Sequence, residues 1–427
     1  MSQVKKYFKS SILFDLIITS FSQLGITIII SHLFGAFGKG LHSFLGLFST
    51  VIIPLCFLGM GQSLRYHLAS NLEKINFKNL LFPIILISIG IFCVCLSYNT
   101  IFNNHTINYI IDSIGTLGLF FFVMLSSFSY ILIKYSIGRS YFTLYFISNS
   151  IQLLTLFIVL LICYSFDYKS VYYLLIVLVF SKLIFILPNI TFNMWKERNI
   201  NSSPFLKGLI PYAKKVWVND VINNITNRLD QIIIAFFLPL EQLGIYTIAV
   251  VFSELIMKIP QTGNNLFFNK ITRKNDIERN VLFNKIFSLN FYLCISLLII
   301  AYVLTPIFIN TIFPSSFNKS ILIFKIYIIG VLFFNQTRVI YQFLGAKGKP
   351  EINTKIQLKG FLIALPFTFV LIYNYKLVGV AYSAVVQYFV LLIISLIELR
   401  KIYSFKLSKL FFLNKNHITW ALNLLRK

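Results

Sequence analysis

The chain is dominated by twelve apolar segments, each long enough to cross a membrane as a helix. A helix rises about 1.5 Å per residue, so about 20 apolar residues span a hydrocarbon core of roughly 30 Å. Within hydrocarbon, a helix satisfies its backbone hydrogen bonds internally. We therefore predict an all-α membrane protein with twelve transmembrane helices. Their expected positions are residues 11–34, 41–64, 79–98, 110–133, 141–165, 171–194, 216–238, 242–266, 286–305, 321–345, 357–373 and 378–398.

The lysines and arginines lie mostly on one side of this arrangement. If the N-terminus is cytoplasmic, the inner connections and the two tails contain 28 of them, whereas the outer connections contain four. Cytoplasmic loops of membrane proteins carry such an excess. We therefore place both termini in the cytoplasm and attribute the net charge of +25 to membrane topology. We expect no nucleic-acid partner.

A loop divides the segments into two sets of six. Each set contains a triple isoleucine that is followed at the same distance by a glycine, which is a weak internal repeat. Six-helix halves of this kind are typical of parallel repeats in transporters. The basic tail predicts either a helix on the anionic lipid surface or a solvated segment. The expected division is an N-terminal lobe at 1–198, the loop at 199–215, a C-terminal lobe at 216–398 and the cytoplasmic tail at 399–427.

Charged side chains lie inside the seventh and eighth segments. The seventh contains Asp220, Arg228 and Asp230, and the eighth contains Glu254 and Lys258. Each such charge costs about 2.5–3.5 kcal/mol in hydrocarbon on insertion scales, so we expect these groups to face other helices or a wet cavity. Asparagines follow at helical spacing in the seventh segment, which gives it a polar stripe. The two segments together indicate a path for a polar substrate.

These two segments resemble the Wzx-type O-antigen flippases of the MOP (multidrug/oligosaccharidyl-lipid/polysaccharide) exporter superfamily. The shared pattern is a basic residue and an aspartate two positions apart, an aliphatic run, a short turn, and then a glycine and a tyrosine. Here these residues are Arg228, Asp230, Ile232–Ile234, Gly244 and Tyr246. The stretches FGAFGKGLHSFLGLFST and FLGMGQSLRYHLAS are similar to the family's first helical pair. Ala235 stands where a glycine is common in that family.

The resemblance implies a flippase of the bacterial inner membrane. Such a protein moves an undecaprenyl-diphosphate-linked oligosaccharide, the repeat unit of O-antigen or a related surface polysaccharide, from the cytoplasmic to the periplasmic leaflet. It also implies two six-helix lobes around a central cavity that alternates its opening. The expected partners are this lipid-linked sugar, membrane lipids and other proteins of polysaccharide assembly.

Cations inside the membrane segments are the candidates for binding the diphosphate. Arginine suits phosphate because its planar fork donates two parallel hydrogen bonds. Arg228 lies near the expected midplane, but it could instead hold its helix to a neighbour. Arg65 lies at the cytoplasmic end of the second segment and could equally be a topology charge. The candidates are Arg228, Arg338, Lys258, Lys182 and Arg65.

Three carboxylates, Asp230, Glu254 and Asp15, are candidates for coupling transport to an ion or for lining the cavity. Glu254 and Lys258 are four residues apart, so they could also neutralise each other. Asp15 could instead be a carboxylate near the interface. We expect no cofactor and no metal site. A proton or sodium gradient, or the membrane potential at roughly 2.3 kcal/mol per charge per 100 mV, would supply the energy.

Other functions fit the sequence less well. A multidrug or small-molecule exporter of the same superfamily is the nearest alternative, but the membrane charges here are mostly basic. A glycan polymerase would be expected to carry a large periplasmic loop, and an acyltransferase a histidine with a partner inside the membrane. The sequence indicates neither, and its five cysteines lie within apolar runs. We therefore expect a transporter rather than an enzyme.

Overall fold

The computed structural model describes residues 2–70, 77–102, 105–196, 206–272, 276–402 and 408–411 of the 427. All of the regular structure in these ranges is helical. A π-helical turn, Phe48–Ile52, joins α1 to α2, and a short 3-10 turn, Ser315–Phe317, precedes α11. The α-helices are α1 Ser2–Leu47, α2 Ile53–Cys56, α3 Met60–Ala69, α4 Lys78–Phe102, α5 His105–Gly138, α6 Phe142–Ser165, α7 Val171–Lys196, α8 Leu206–Phe237, α9 Leu240–Thr272, α10 Asp276–Ile312, α11 Lys319–Ala346, α12 Pro350–Ile402 and α13 Ser408–Phe411.

The predicted all-α class with membrane-length helices is confirmed. Within the described ranges, nine helical runs are long and apolar enough to cross a membrane. In two of these runs the helical backbone is interrupted just after the end of a predicted transmembrane segment. The interruptions lie at Gly35 in α1 (φ 62°) and at Lys376 in α12 (φ 49°). The polar helix α8 is not among the nine. The count of twelve crossings and the two lobes around a central cavity therefore stay predictions.

Backbone contacts group the chain into two compact units, Met1–Arg228 and Leu229–Lys427. Their boundary falls inside α8. The predicted loop at 199–215 falls partly outside the described ranges, and α8 already begins at Leu206. Most of the predicted tail at 399–427 also lies outside them. The lobe boundaries stay predictions.

In the first unit, α5 and α7 pack against each other, and each packs against α6. Helix α1 packs mainly on α6, whereas α3 and α4 pack on α5. Serines allow close helix approach without leaving their hydroxyls unsatisfied, because each can donate to a carbonyl one turn earlier. Ser31 and Ser88 both do so, at 2.7 Å. This arrangement places the polar faces of α5, α6 and α7 near one another.

In the second unit, α11 is the central helix. It packs against α9, α10 and α12. Its side chains Phe324, Ile328 and Phe343 are all fully buried. Helix α9 contributes Tyr246, Ile248 and Ala249 to the same core. A small residue, Gly330, permits the close approach of α12, because an added Cβ would lie 3.0 Å from the Cα of Val385.

The start of α8 is held by the corner between α2 and α3. Ser63 donates a hydrogen bond to the carbonyl of Leu209 at 2.8 Å. The ring of Tyr66 stacks on that of Tyr212, with centroids 4.3 Å apart. These contacts explain why α8 begins ten residues before the predicted segment at 216. Leu209 and Ala213 of this first part are buried rather than free in a loop.

Replacing Gly59 by alanine should destabilise this corner. Gly59 has a φ of +78°, and a Cβ there would lie 2.5 Å from the backbone oxygen of Ala213. A left-handed backbone costs an L-residue about 1–2 kcal/mol, before the shift of α8 that the contact would also require. We expect a clearly lower melting temperature in detergent. The control is Gly90→Ala, at a helical glycine with open space around it, which should melt like the wild type. Equal melting temperatures of the Gly59 and Gly90 variants would contradict the close packing of Gly59 against α8.

Candidate functional site

A polar cavity of about 440 Å³ lies within the first unit. It is bounded by the π-helical turn and by helices α2, α3, α5, α6, α7 and the first part of α8. Most of its lining side chains carry amides or hydroxyls. These polar residues are Ser49, Thr50, Gln62, Ser126, Ser129, Tyr130, Asn149, Gln152, Asn223 and Asn224.

Helix α8 supplies one wall of the cavity through Asp220, Asn223 and Asn224. Their spacing of three and four residues places them on one helix face. The prediction that the polar stripe of this segment faces a cavity or other helices is thus confirmed for these three residues. The hydrogen bond from Gln62 Nε2 to Asp220 Oδ1, 3.0 Å long, ties the stripe to α3.

Two lysines line the cavity from neighbouring helices. Lys182 of α7 donates to Ser49 Oγ at 3.4 Å, and its ammonium lies 5.2 Å from the ring centroid of Phe122. Lys134 of α5 lies 5.5 Å from the ring centroid of Tyr130. Asp220 is close enough to interact with the charge of Lys134. The charged groups lining the cavity are therefore two lysines and one aspartate, so cations predominate.

A buried lysine lies near the cavity. Lys39 is only 2% exposed, and its ammonium donates to Thr27 Oγ1 at 3.3 Å. Among the side chains that the structure describes, no carboxylate forms an ion pair with Lys39. His42 lies within electrostatic reach of both Lys39 and Lys182. The region around the π-helical turn is thus rich in positive charge.

Of the predicted substrate-binding residues in the first unit, Lys182 lines the cavity. Arg65 is exposed on α3 and interacts electrostatically with Lys134.

Arg228 is half-buried one turn beyond Asn224 and is the last residue of the unit. Asp15 falls in α1, but its side chain is outside the part of the chain whose side chains are described. The roles assigned to these residues stay predictions.

The second unit holds a buried aspartate bound by a tyrosine. Asp230 is 4% exposed, and the hydroxyl of Tyr246 donates to its Oδ2 at 2.7 Å. The backbone N–H of Gln231 donates to Oδ1 at 2.9 Å. Tyr327 packs edge-on against Tyr246, and its hydroxyl lies 3.3 Å from that of Tyr388. The two residues that the sequence pattern singled out, Asp230 and Tyr246, are therefore in direct contact.

The other predicted residues of the second unit lie on α9 and α11. Glu254 is exposed and within electrostatic reach of Tyr327. Lys258 is half-buried one turn later on α9. The guanidinium of Arg338 lies 4.6 Å from the ring centroid of Phe334. Their predicted roles in binding and coupling remain untested.

The sequence reasoning missed several residues of the cavity. The predicted segment 110–133 ends one residue before Lys134 and so places this lysine in a cytoplasmic connection. In the structure, α5 continues to Gly138 and carries Lys134 within it. Asn149 and Gln152 on α6 were also missed. Their three-residue spacing could have indicated a shared polar face in an otherwise apolar helix.

Comparison with solved structures identifies the fold. A multidrug resistance MATE family transporter of the MOP superfamily, in an inward-facing conformation, has a TM-score of 0.69 at 11% identity, covering 90% of this chain and 94% of that one. Lipid II flippase MurJ, in an inward closed conformation, has a TM-score of 0.65 at 14% identity, covering 95% and 89%. The Vibrio cholerae MATE transporter VcmN has a TM-score of 0.60 at 12% identity, covering 96% and 99%.

No protein-family model matches the sequence, and no curated protein matches it. The structural similarity extends over nearly the full length of the chain and of its neighbours. At this level of identity the similarity shows the fold alone, which this chain shares with the two MATE transporters and with MurJ. Together with its many apolar helices, this fold makes the chain a multi-pass membrane protein.

Proposed function

We propose that this protein is a flippase that carries a polyprenyl-diphosphate-linked oligosaccharide across the bacterial inner membrane. The observation that carries the proposal is the cavity of the first unit, where two lysines stand among amides and hydroxyls. The substrate would be an undecaprenyl-linked repeat unit of O-antigen or a related surface polysaccharide. It would travel from the cytoplasmic to the periplasmic leaflet, and both termini of the chain would be cytoplasmic.

The chemistry of the cavity fits the head group of such a lipid. Lysine ammonium groups bind phosphate through charge-assisted hydrogen bonds, which are stronger than neutral ones. Amide side chains both donate and accept hydrogen bonds, so Asn149, Gln152 and Asn223 suit the hydroxyls of sugars. An apolar drug would form no hydrogen bonds with these amides and hydroxyls, so it would gain none of the interactions that they offer to a sugar.

A multidrug exporter is the alternative function for the same fold. A cavity for cationic drugs would need carboxylates that are free to bind the cation. Here Asp220 is the carboxylate among the lining residues of the cavity, and the positive charge of Lys134 lies within electrostatic reach of it. Lys134 and Lys182 would repel a cation from the same space. The balance of charge therefore favours an anionic substrate.

Deleting the gene in its native host tests the proposal. We expect surface polysaccharide to disappear from gels and lectin stains while lipid-linked repeat units accumulate in the cytoplasmic leaflet. Re-expression of the wild-type chain, at matched abundance, should restore the polysaccharide. Unchanged surface polysaccharide, in a host without a second flippase, would refute the proposal. Increased sensitivity to cationic drugs in that same strain would instead favour the exporter.

A further inference from the structure

A row of residues on α1 continues the polar cavity of the first unit. Ser49 and Thr50 line the cavity, and Gly46 lies three and four residues before them, on the same helix face. Thr50 Oγ1 donates to the carbonyl of Gly46 at 2.8 Å, so the two residues stand one turn apart. A Cβ added to Gly46 would meet no neighbouring side chain within 4 Å. The open space therefore continues past Thr50 by about one turn, or roughly 5 Å.

This row ends at two basic residues. His42 lies one turn before Gly46 and is half-buried, and Lys39 lies three residues further back and is 2% exposed. Spacings of three and four residues keep all of them on one helix face. Among the atoms that the structure describes, none forms a hydrogen bond with the buried Nδ1 of His42. The row thus narrows from open space at Gly46 to a closed end at Lys39.

A third basic residue, Lys182 of α7, reaches the same row. Its ammonium donates to Ser49 Oγ at 3.4 Å and lies within electrostatic reach of His42, as does that of Lys39. Helices α6 and α7, on which α1 packs, contain no aspartate or glutamate. Three bases therefore meet where these neighbouring helices supply no negative charge.

The other lysine of the cavity has a different setting. Lys134 lies within electrostatic reach of Asp220, which provides it with a counter-charge. Lys182 lies beside the ring of Phe122, and Phe122 and Lys134 are twelve residues apart on α5, or about 18 Å along its axis. The two lysines therefore mark separate ends of the cavity, and the end at Lys182 attracts an anion more strongly.

We propose that Lys39, His42 and Lys182 form the subsite that holds the diphosphate of the substrate. This inference rests on the proposed function. The absence of a side chain at Gly46 leaves room for one phosphate group between the two parts of the subsite. Lysine binds phosphate through charge-assisted hydrogen bonds, and an imidazole N–H can add another. The end of the cavity near Lys134 and Asp220 is then left for the sugar.

Binding of two lipid phosphates to the purified full chain tests the inference. The probes are farnesyl diphosphate and farnesyl monophosphate, measured in nanodiscs of phosphatidylcholine. The wild type should prefer the diphosphate by about tenfold or more, because the second phosphate gains charge-assisted hydrogen bonds. Gly46→Leu fills the open space, and Lys39→Met removes the buried charge at similar length. We expect each variant to reduce this preference by about fivefold, mainly through weaker binding of the diphosphate.

Gly90→Leu is the matched control, because Gly90 is a helical glycine of α4 with open space around it and α4 does not line the cavity. It should keep the wild-type preference. If Gly46→Leu or Lys39→Met also keeps it at an unchanged melting temperature, the inference is wrong. Equal binding of the two probes by the wild type would overturn it as well. In both cases, loss of surface polysaccharide on gene deletion would leave the proposed function standing. If neither probe binds the wild type, the proposed function fails together with the inference.

Discussion

Replacing Lys182 by alanine is expected to reduce surface polysaccharide sharply in a strain that depends on this chain. The Lys182 ammonium has Ser49 and the ring of Phe122 as neighbours, and it lies at the wall of the polar cavity. A hydrogen bond to a charged group contributes about 1.5–3 kcal/mol, so losing one phosphate contact should slow transport by about 10- to 100-fold. The measurement is polysaccharide export by gel, with protein abundance in the membrane determined in parallel.

Two further variants distinguish substrate binding from folding. Lys182→Arg keeps the positive charge and should retain part of the activity. Lys169→Ala removes an exposed lysine that pairs with Asp167 outside the cavity, and it should behave like the wild type. Normal export by Lys182→Ala at normal abundance would show that this lysine does not bind the substrate.

Replacing Asp230 by asparagine should also stop transport, but without unfolding the chain. The asparagine oxygen can still accept the hydrogen bond from Tyr246, so the buried contact of 2.7 Å can persist. The substitution removes the negative charge and the ability to exchange a proton, together with the acceptor for the backbone N–H of Gln231. If Asp230 couples transport to an ion, we expect at least a tenfold loss of export, equivalent to about 1.4 kcal/mol.

Tyr246→Phe is the matched control for Asp230→Asn. It removes the hydrogen bond that Asp230→Asn can keep, and it keeps the carboxylate charge that Asp230→Asn removes. Breaking a buried hydrogen bond in this way should cost about 1–3 kcal/mol of stability. We therefore expect a lower melting temperature with transport retained. Transport lost equally in both variants would indicate a structural role for the pair and would contradict coupling through Asp230.

The fold class could be predicted because hydrocarbon permits few backbone structures. An apolar run of membrane length has to be helical there, whichever apolar residues it contains. The pattern shared with the flippases singled out Asp230 and Tyr246, but it did not predict that the two side chains touch. The polar stripe that begins at Asp220 was visible because charged and amide residues recur at helical spacing.

The composition of the cavity could not be predicted, because its residues come from seven separate elements of the chain. Hydropathy marks a helix end at the first charged residue, so it assigned Lys134 to a loop. In the structure the lysine lies over the ring of Tyr130 inside a longer helix. Asn149 and Gln152 resemble isolated polar residues in sequence. Only the packing of α6 beside α5 and α7 brings them next to Lys182.

The burial of Lys39 implies a sequence of steps in the folding of this membrane protein. Lys39 belongs to α1, which packs on α6 and α7, and the neighbouring Gly38 faces Leu174 of α7. During synthesis α1 enters the membrane long before α6 and α7 exist, so the ammonium must first remain in water. Lysines near a helix break can reach the interface in this way. The burial of Lys39 therefore has to follow the arrival of α7, which makes it a late marker of folding in this unit.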